Sequence, residues 1–569
     1  MKAEIFYERE PRPHIFSLEE ESVALQILES IQTAKEAAEF LLQVQEQANG
    51  QFMEMAELLN VMLGTIQQSA VPYHEKLSVI KLPLACQCMK QSLDIVRNLQ
   101  KKDDQKCRMK LEFELIPSLQ NAYLEFYFWA YVYSHADREK TYYEQELPDL
   151  CTNTYIDQSQ KTGQYKYDVS FVITAYNKLE YTRMCVENLL KNIPSGLNYE
   201  LILWDNGSSD GTQAYFESKK PDKLLESRSN WAVGSLSHRV LEGKYCFFIS
   251  NDVIILPNAI ENMLKCIQSD DRIAWVVPST PNVSNFQTIP AQYQSLEEMS
   301  AFAEQNNILA PNRWEERVRL CDPVSLLRSD VFFSYDGLHT SGYLSENPYS
   351  FPDDRTALLL RRRGYKMVLD KDAYCHHFGS VTLKDEIRQQ NEQKFYLEGR
   401  QAFFQQFNVD PWGTGFCYDT IFLNRIVGNE HGHVEVLGIN CGMGSNSLKI
   451  KEQIKEYCHN TDCILTNITD DNRFILDLKG VSDIVADIHS IKEFKKAMYQ
   501  RRFHYIVWET PFLTQYKFRS LLTHCFDCLV PNGKLLIKLT GQSLKTLQSY
   551  PNKKALNDEW IMLTKDAAV

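Results

Sequence analysis

Three aspartates in the middle of this 569-residue chain stand beside short apolar runs. Asp205 ends the run YELILWD, Asp252 lies within YCFFISNDVIIL, and Asp353 precedes a helical pattern. A carboxylate at a strand end accepts hydrogen bonds from a base or ribose. It also binds Mg²⁺ or Mn²⁺, which stabilises a departing diphosphate. A third carboxylate can take the proton of an acceptor. The set suits group transfer from a nucleoside diphosphate.

The elements that must position these aspartates alternate in type. VSFVITAY, YELILWD and YCFFISNDVIIL are β-rich, each ends at a polar or Gly-containing turn, and helical patterns separate them. Strands alternating with helices predict an α/β domain with a mainly parallel sheet. Ligands then bind at the carboxyl ends of the strands. We place this domain at residues 169–400.

In that order, the segments resemble the family 2 glycosyltransferases, which have the GT-A fold. The resemblance runs from VSFVITAYNKLEYTRMCVENLL to YCFFISNDVIIL. It implies a metal-dependent transferase with a nucleotide-sugar donor and places Asp252 in the metal motif, where Ser250 and Asn251 replace aspartates of fuller members. The residues it implies for donor binding are Thr174, Ala175, Tyr176, Asn177, Asp205, Asn230 and Asn251.

The segment FPDDRTALLLRRRGYKMVLDKDAYCHH continues the resemblance. It implies that Asp353 is the catalytic base and that Pro352 stands where the family has Glu, so that either Asp354 substitutes or the acceptor is bound differently. His376 or His377 falls where the family has a metal- or diphosphate-contacting His, and position favours His377. With Asp353 as the base, the acceptor oxygen would displace the diphosphate directly, which inverts the anomeric configuration.

Each of these residues also has a purely structural interpretation. Asp205-Asn-Gly and Asp210-Gly are turn signals, and Asp353 or Asp354 can cap a helix. The three arginines at 361–363 are expected on a solvated helix face with no role. The ordered set over some 200 residues favours a site over separate turns, since strands, metal position, base and His occur together.

The N-terminal part, residues 1–150, carries helical periodicity and predicts an α-helical bundle. Ser17 followed by Glu20 resembles a capping box. The apolar stripes are read as an intramolecular core, although contact with a partner or a second copy remains open. The run at 123–133 is short and contains Glu125, which favours a buried helix over a membrane span. A polar linker is predicted at 151–168.

The C-terminal part, residues 431–569, begins with VEVLGINCGMGSNS after a connector at 401–430. This motif resembles the first glycine motif of Rossmann-like, S-adenosylmethionine-dependent methyltransferases. Gly438 replaces the usual acidic residue, Asn440 replaces the first glycine, and Asn467 replaces the ribose-binding carboxylate. The resemblance therefore implies a degenerate methyltransferase-type domain for which S-adenosylmethionine binding is doubtful.

Composition limits the remaining possibilities. The net charge of -13 and the pI near 5.6 argue against general nucleic-acid binding. No apolar run reaches the length of a membrane span, and no signal peptide follows the N-terminal charges. The 15 cysteines form no regular framework, which predicts reduced thiols and a cytoplasmic protein.

Three functions are compatible with these features. The leading hypothesis is an inverting glycosyltransferase that uses Mg²⁺ or Mn²⁺ and a nucleotide-diphosphate sugar. The alternatives are a bifunctional glycosyltransferase and methyltransferase, and a scaffold that binds nucleotide sugar without turnover. Glycan, glycolipid and protein acceptors all remain open, and the lack of a membrane span slightly favours a soluble or protein-bound one.

Overall fold

The structure is a computed structural model, and it describes most of the chain. The described residues are 16–45, 50–74, 82–100, 102–133, 135–146, 159, 162–226, 240–333, 351–379, 381, 392–413, 415–510, 518–539, 547 and 553–566.

The N-terminal part is helical, as predicted. Its helices are Leu18–Val44, Gly50–His74, Leu82–Leu99, Asp104–Lys110, Ile116–Tyr127 and Ala136–Thr141, with π-helical turns at Leu111–Leu115, Phe128–Val132 and Tyr142–Glu146. Ser17 and Glu20 form the predicted capping box, which satisfies two amide groups at the start of the first helix. The run at 123–133 is helical and largely buried, and no described helix is long and apolar enough to cross a membrane.

The central part is built on an eight-stranded sheet with the order β3-β2-β1-β4-β8-β6-β9-β7. The strands are β1 (Tyr167–Ala175), β2 (Tyr199–Asp205), β3 (Lys223–Glu226), β4 (Gly243–Ser250), β6 (Ile273–Ser279), β7 (Trp314–Arg317), β8 (Val324–Arg328) and β9 (Lys366–Tyr374). The β3-β2-β1-β4 half is parallel, whereas β8 and β7 run antiparallel to their neighbours. The sheet is therefore mixed, with the predicted parallel pairing in the half that carries Asp205 and Asp252.

Helices connect these strands and lie on both faces of the sheet. They are Leu179–Asn192, Thr212–Ser218, Ala259–Ile267, Leu296–Asn306, Ser329–Phe333 and Pro352–Arg362. Alternate residues of β1 belong to different cores: Val172 packs with the N-terminal helices, and Phe171 and Ile173 pack on the opposite face. This is the period-two alternation of a strand that is buried on both sides. A second, two-stranded sheet pairs β5 (Val253–Ile254) with β10 (His376–His377).

The C-terminal part is a seven-stranded sheet with the order β13-β12-β11-β14-β15-β17-β16. Its strands are β11 (Val434–Ile439), β12 (Cys463–Thr469), β13 (Ile484–Asp487), β14 (Phe503–Trp508), β15 (Leu529–Lys538), β16 (Lys553–Ala555) and β17 (Trp560–Thr564). The first five are parallel and β17 is antiparallel to β15. The accompanying helices are Ser445–Cys458, Ile475–Lys479, Ile491–Ala497 and Phe518–Cys528. The order reverses between β11 and β14, which is where doubly wound sheets open a crevice.

The segment predicted as a connector is part of the C-terminal core. The helix Glu392–Phe407 runs through residue 400, the predicted end of the central domain. Phe407, Phe416 and Phe422 are buried in one cluster with strand residues such as Val436 of the C-terminal sheet. The described residues of the predicted linker 151–168 are Ser159 and 162–168, of which 167 and 168 already belong to β1.

The three parts meet at the helix Pro352–Arg362, and its arginines are not solvated. Arg361 and Arg362 are 0% and 2% exposed, so the expectation of an exposed arginine face is wrong. Arg362 Nη1 lies 2.6 Å from Glu139 of the helical part, and its Nε lies 3.4 Å from Asp477 of the C-terminal part. Buried charges require such partners, because removing them from water is costly. The backbone of Gly480 also packs against Arg361 with no room for a Cβ.

Candidate active site at the carboxyl ends of the central strands

The strand ends of the central sheet lie level with one another. Ala175, the last residue of β1, is paired with Asp205, the last residue of β2. Thr174 is paired with Ser250, the last residue of β4. Thr174 and Tyr176 are half-buried, whereas Ala175 is buried. The residues expected around the donor from β1 and β2 therefore share one edge, next to the loop that carries Asp252.

Two loops at this edge are joined by hydrogen bonds. The Asn177 amide donates to Ser208 Oγ at 2.8 Å, and the Ser209 amide donates to Asn177 Oδ1 at 2.9 Å. The Ser208 amide donates to Asp205 Oδ1 at 3.0 Å. Asp210 accepts the amides of two helix N-termini, those of Leu179 and Thr212. The side chain of Asn177 thus holds the loop after β2 in place.

Asp205 combines this support with burial. Its side chain is 3% exposed, and burial raises its pKa although the hydrogen bonds from Ser208 oppose that shift. A carboxylate in such a site gains from a hydroxyl or amide donor on a ligand, which completes its hydrogen bonding. This chemistry fits the expected contact with a base or ribose.

Asn251 and Asp252 point in different directions. The Asn251 side chain donates to Thr182 Oγ1 at 3.0 Å and to the Asn177 carbonyl at 3.2 Å. Asn251 is therefore used to fasten the loop after β4 to the helix Leu179–Asn192. Asp252 instead accepts from the Val381 amide at 3.1 Å and faces His377.

His377 is brought to Asp252 by strand pairing. β10 pairs antiparallel with β5, with His377 opposite Val253, the residue that follows Asp252. His377 Nε2 then lies 3.4 Å from Asp252 Oδ2. The adjacent His376 turns away, and its Nδ1 lies 2.5 Å from the hydroxyl of Tyr293. Of the two histidines, only His377 reaches the Asp252 carboxylate.

The electrostatics of this pair favour a cation. Burial alone raises the pKa of Asp252, but the hydrogen bond and charge of His377 and the Val381 amide outweigh it and lower the pKa. Asp252 therefore stays ionised in a buried site. Among the described residues, no group of three or more His, Cys, Asp or Glu side chains is arranged to hold a metal. Any cation here takes its other ligands from a bound molecule or water.

The predicted base, Asp353, lies in the first turn of the helix Pro352–Arg362. Phe351 precedes this helix in the left-handed region, with φ of 61°. Asp353 is half-buried, whereas Asp354 is 1% exposed and its Oδ1 lies 2.6 Å from Arg319 Nε. Burial raises the pKa of Asp354 to about 7 against the opposing charge of Arg319. Asp354 is thus held in an ion pair with Arg319, and Asp353 is the more exposed of the two carboxylates.

Asp322 lies next to Asp353, and sequence reasoning missed it. The two carboxyl groups are within hydrogen-bonding reach of each other. Asp322 immediately precedes Pro323, whose carbonyl accepts from the Ser250 amide at 2.9 Å. This contact ties the carboxyl pair to the end of β4, two residues before Asp252. The only signal in the sequence is an acidic residue directly before a strand, which is too common to single out.

The structure thus brings most predicted site residues to one edge of the central sheet. Asp205, Asp252 and His377 lie there, and Asp353 is joined to it through Asp322 and the β8 loop. Asn230 lies outside the described residues.

The matching edge of the C-terminal sheet is filled by the chain itself. Asn440, with φ of 47°, exchanges hydrogen bonds with Asp470, the carboxylate that follows β12. Gly415 packs so closely on the Cys441–Gly444 loop that a Cβ there would lie 2.5 Å from the Met443 amide. Asn467 is buried inside the sheet and bonded to Ser447 and Ser482, rather than exposed at the strand end.

Comparison with known proteins agrees with the central site. Residues 170–316 match the sequence profile of the family described as Glycosyl transferase family 2. The chain therefore carries a glycosyltransferase family 2 segment, and the predicted resemblance is confirmed for this part of the chain. The matched segment includes Asp205 and Asp252, whereas Asp322, Asp353 and His377 lie beyond it.

Individual relatives match over shorter stretches. The chain is 27% identical over 110 residues to the glycosyltransferase GlyG of Streptococcus pneumoniae, which is 18% of this chain and 36% of that protein. It is also 27% identical over 110 residues to an uncharacterized glycosyltransferase of Rickettsia bellii, 18% of this chain and 16% of that protein. The chain thus spans about a third or less of the length of these curated relatives.

A solved structure to which part of the chain is similar is that of the mannosyltransferase PcManGT from Pyrobaculum calidifontis, in complex with GDP-Man and Mn²⁺. It is 14% identical, with a TM-score of 0.29, over 48% of this chain and 73% of that one. A likeness of this size carries no argument about ligands.

Proposed function

We propose that the chain transfers a glycosyl group from a nucleoside-diphosphate sugar to a hydroxyl acceptor, with inversion at the anomeric carbon. The observation that carries this proposal is the convergence of Asp252 and His377, 3.4 Å apart, at the strand-end edge that also presents Asp205. The family 2 match over 170–316 supports it independently. The acceptor class is a glycan or a protein.

The residues present suit a divalent cation. An ionised carboxylate and an imidazole converge in a buried site, and two protein ligands are enough for Mg²⁺ or Mn²⁺ when substrate phosphates and water supply the others. Asp252 and His377 would hold the ion. When bound, the cation neutralises charge that develops on the departing diphosphate. A bound cation would itself favour the ionised form of Asp252. Without the cation, His377 and the Val381 amide lower the pKa of Asp252 against the effect of burial.

Donor and acceptor are assigned to different sides of the site. Asp205, Thr174 and Tyr176 contact the nucleotide, because they stand at the ends of β2 and β1 where ligands bind in open α/β sheets. Asp353 takes the proton of the acceptor hydroxyl while the acceptor's oxygen forms a bond to the anomeric carbon. The bond from that carbon to the diphosphate oxygen breaks, and its electron pair leaves with the diphosphate.

The C-terminal sheet favours the degenerate interpretation of that domain. Its parallel strands follow the 3-2-1-4-5 order, and an antiparallel strand follows β15, which supports a methyltransferase-type fold. We propose that it binds no S-adenosylmethionine. Asn440 and Asp470 are hydrogen-bonded to each other at the glycine loop, and the Gly415 backbone packs directly on that loop. The bifunctional alternative requires that loop to open. The scaffold alternative lacks support from the central site, where Asp353 and Asp252 are both present.

The decisive experiment assays the full chain against UDP- and GDP-sugars with Mn²⁺ and a panel of glycan and peptide acceptors. We expect release of nucleoside diphosphate and a glycosylated product. Asp353→Asn should lower kcat by about 100-fold or more with little change in donor affinity, because proton abstraction contributes to the transition state alone. Asp271→Asn, at a fully exposed carboxylate of the same domain, is the matched control. Wild-type protein that binds donor and never turns it over would establish the scaffold instead.

A further inference from the structure

We propose that Asp322 is a positioning residue for the base: in its acid form it donates a hydrogen bond to the Asp353 carboxylate and orients it toward the acceptor. This inference rests on the proposed transfer reaction. It places the carboxyl group that assists Asp353 in the loop before β8 rather than in the helix that carries Asp353.

The helix itself offers no second acid. Pro352 has no carboxyl group, and Asp354 is buried in its ion pair with Arg319. Asp322 approaches Asp353 from the loop before β8 instead, and it is half-buried, so that a substrate can reach the pair. The carbonyl of the next residue, Pro323, is hydrogen-bonded to Ser250 at the end of β4. The acid pair therefore borders the edge that carries the metal ligand.

Two buried residues of the sheet, Ser325 and Trp275, fix the orientation of Asp322 through a series of hydrogen bonds. Ser325 Oγ donates to Asp322 Oδ2 at 3.2 Å, and Trp275 Nε1 donates to Ser325 Oγ at 2.8 Å. Trp275 and Ser325 are both buried in the sheet. Because one oxygen of Asp322 accepts from Ser325, its other oxygen is available to meet Asp353. A donor in that position must be a protonated carboxyl group.

Two carboxyl groups in hydrogen-bond contact share one proton, because two adjacent negative charges repel each other. Burial raises the pKa of Asp322 well above its usual range, and the charge on Asp353 raises it further. Arg319, which acts on Asp353, is held in an ion pair with Asp354. The charged and titratable groups that interact with Asp353, besides Asp322, are Arg319, Cys321 and Asp354. Arg361 acts on Asp354, and Cys417 acts on Arg319.

Two substitutions separate a protonated Asp322 from an ionised one. Asparagine mimics the acid form, since its amide donates to Asp353 while its oxygen accepts from Ser325. We expect Asp322→Asn to keep kcat within about threefold of wild type near neutral pH and to lose the alkaline decline of the pH profile that proton loss from the pair causes. Asp322→Ala should lower kcat by about tenfold or more, with the donor KM within about twofold.

The assay measures nucleoside diphosphate released from UDP-glucose, UDP-N-acetylglucosamine and GDP-mannose with Mn²⁺ across the pH range. Asp322→Asn as inactive as Asp353→Asn would overturn the proposal, because Asp322 would then act as an anion. An unchanged alkaline limb in Asp322→Asn would overturn it as well. Infrared difference spectra of wild type and Asp322→Asn at pH 7 detect the protonated carboxyl without turnover, so failure of the shared proton is distinguished from failure of the reaction.

Discussion

Two parallel-stranded sheets in this chain present their carboxyl ends in opposite ways. At the central sheet, Asp252 and His377 converge, with Oδ2 and Nε2, the atoms proposed to hold the cation, 3.4 Å apart. At the C-terminal sheet, the comparable carboxylate, Asp470, is bonded to Asn440, and Gly415 packs on the adjacent loop. A strand order that opens a crevice is thus not enough to make a site. The two edges differ in that the central one brings a carboxylate and an imidazole together, whereas the chain packs over the loop at the C-terminal one.

The contrast also explains what the C-terminal domain does for the central one. Residues at and near its glycine loop serve as packing surface: the Arg361 guanidinium contacts Met443 of that loop, and Asp477 pairs with Arg361 and Arg362. These arginines belong to the helix that begins at Pro352 and carries Asp353. The helix is fastened on its other side by Glu125 and Glu139 of the N-terminal part. Both flanking domains therefore fix the orientation of the proposed base.

The largest effect that tests this comparison is on metal-dependent transfer. Asp252→Asn should lower transfer by about 1,000-fold, because it removes the ionised ligand that holds the cation against the diphosphate. Asp470→Asn, the corresponding change at the C-terminal sheet, should leave transfer within about twofold of wild type. Product formation with and without a chelator measures both, and Mn²⁺ binding in the presence of UDP or GDP measures the site directly. Transfer that persisted after chelation and in Asp252→Asn would refute the metal assignment.

A second effect concerns pH and stability at the filled edge. Glu509 follows β14 and is 3% exposed, and its hydrogen bonds with Asn446 and Cys441 only partly oppose the effect of this burial. Burial, with the charge of Asp419, raises its pKa from 4.5 to about 7. The folded chain therefore binds more protons between these values, so stability falls as the pH rises through that window and stays lower above it.

Glu509→Gln should accordingly stabilise the protein above pH 7 and change little at pH 5. At about 1.4 kcal/mol per pKa unit, the expected gain at pH 8.5 is about 3 kcal/mol. Thermal melts of both proteins at pH 5 and pH 8.5 measure it. Equal melting temperatures at pH 8.5 would show that Glu509 is ionised at little cost, which would point to an open, hydrated edge in the C-terminal domain.

Much of the fold could be predicted from local sequence. The capping box at Ser17, the strands before Asp205 and Asp252, and the strand and glycine motif that open the C-terminal domain each follow from periodicity or from motifs within a few residues. These features are set by contacts close in sequence or by the period of a single element. The preference for His377 over His376 came instead from its position in the family resemblance, and the pairing of β10 with β5 that brings His377 to Asp252 joins segments far apart in the chain.

The features that were missed depend on distant partners. Arg362 looks like any charged residue on a helix, and its burial depends on Glu139 and on Asp477, which lies 115 residues further along the chain. Asp322 has no motif, and its proximity to Asp353 follows from the antiparallel placement of β8 beside β4. The connector composition of 401–430 gave no indication that its aromatic residues fill a core. Pairing over such distances is decided by tertiary packing, which periodicity does not report.

The smallest expected effect tests whether one side chain alone closes the C-terminal edge. Asn440→Gly restores the glycine of the methyltransferase motif and relieves a left-handed residue, but it removes two hydrogen bonds from the buried Asp470. We expect the free energy of unfolding to fall by about 1 kcal/mol. Calorimetry with millimolar S-adenosylmethionine should show no binding to wild type or variant, because Gly415 still covers the loop. Binding gained by the variant would mean that Asn440 is the whole barrier, and that the two sheets differ by a single side chain rather than by the path of residues 415–419.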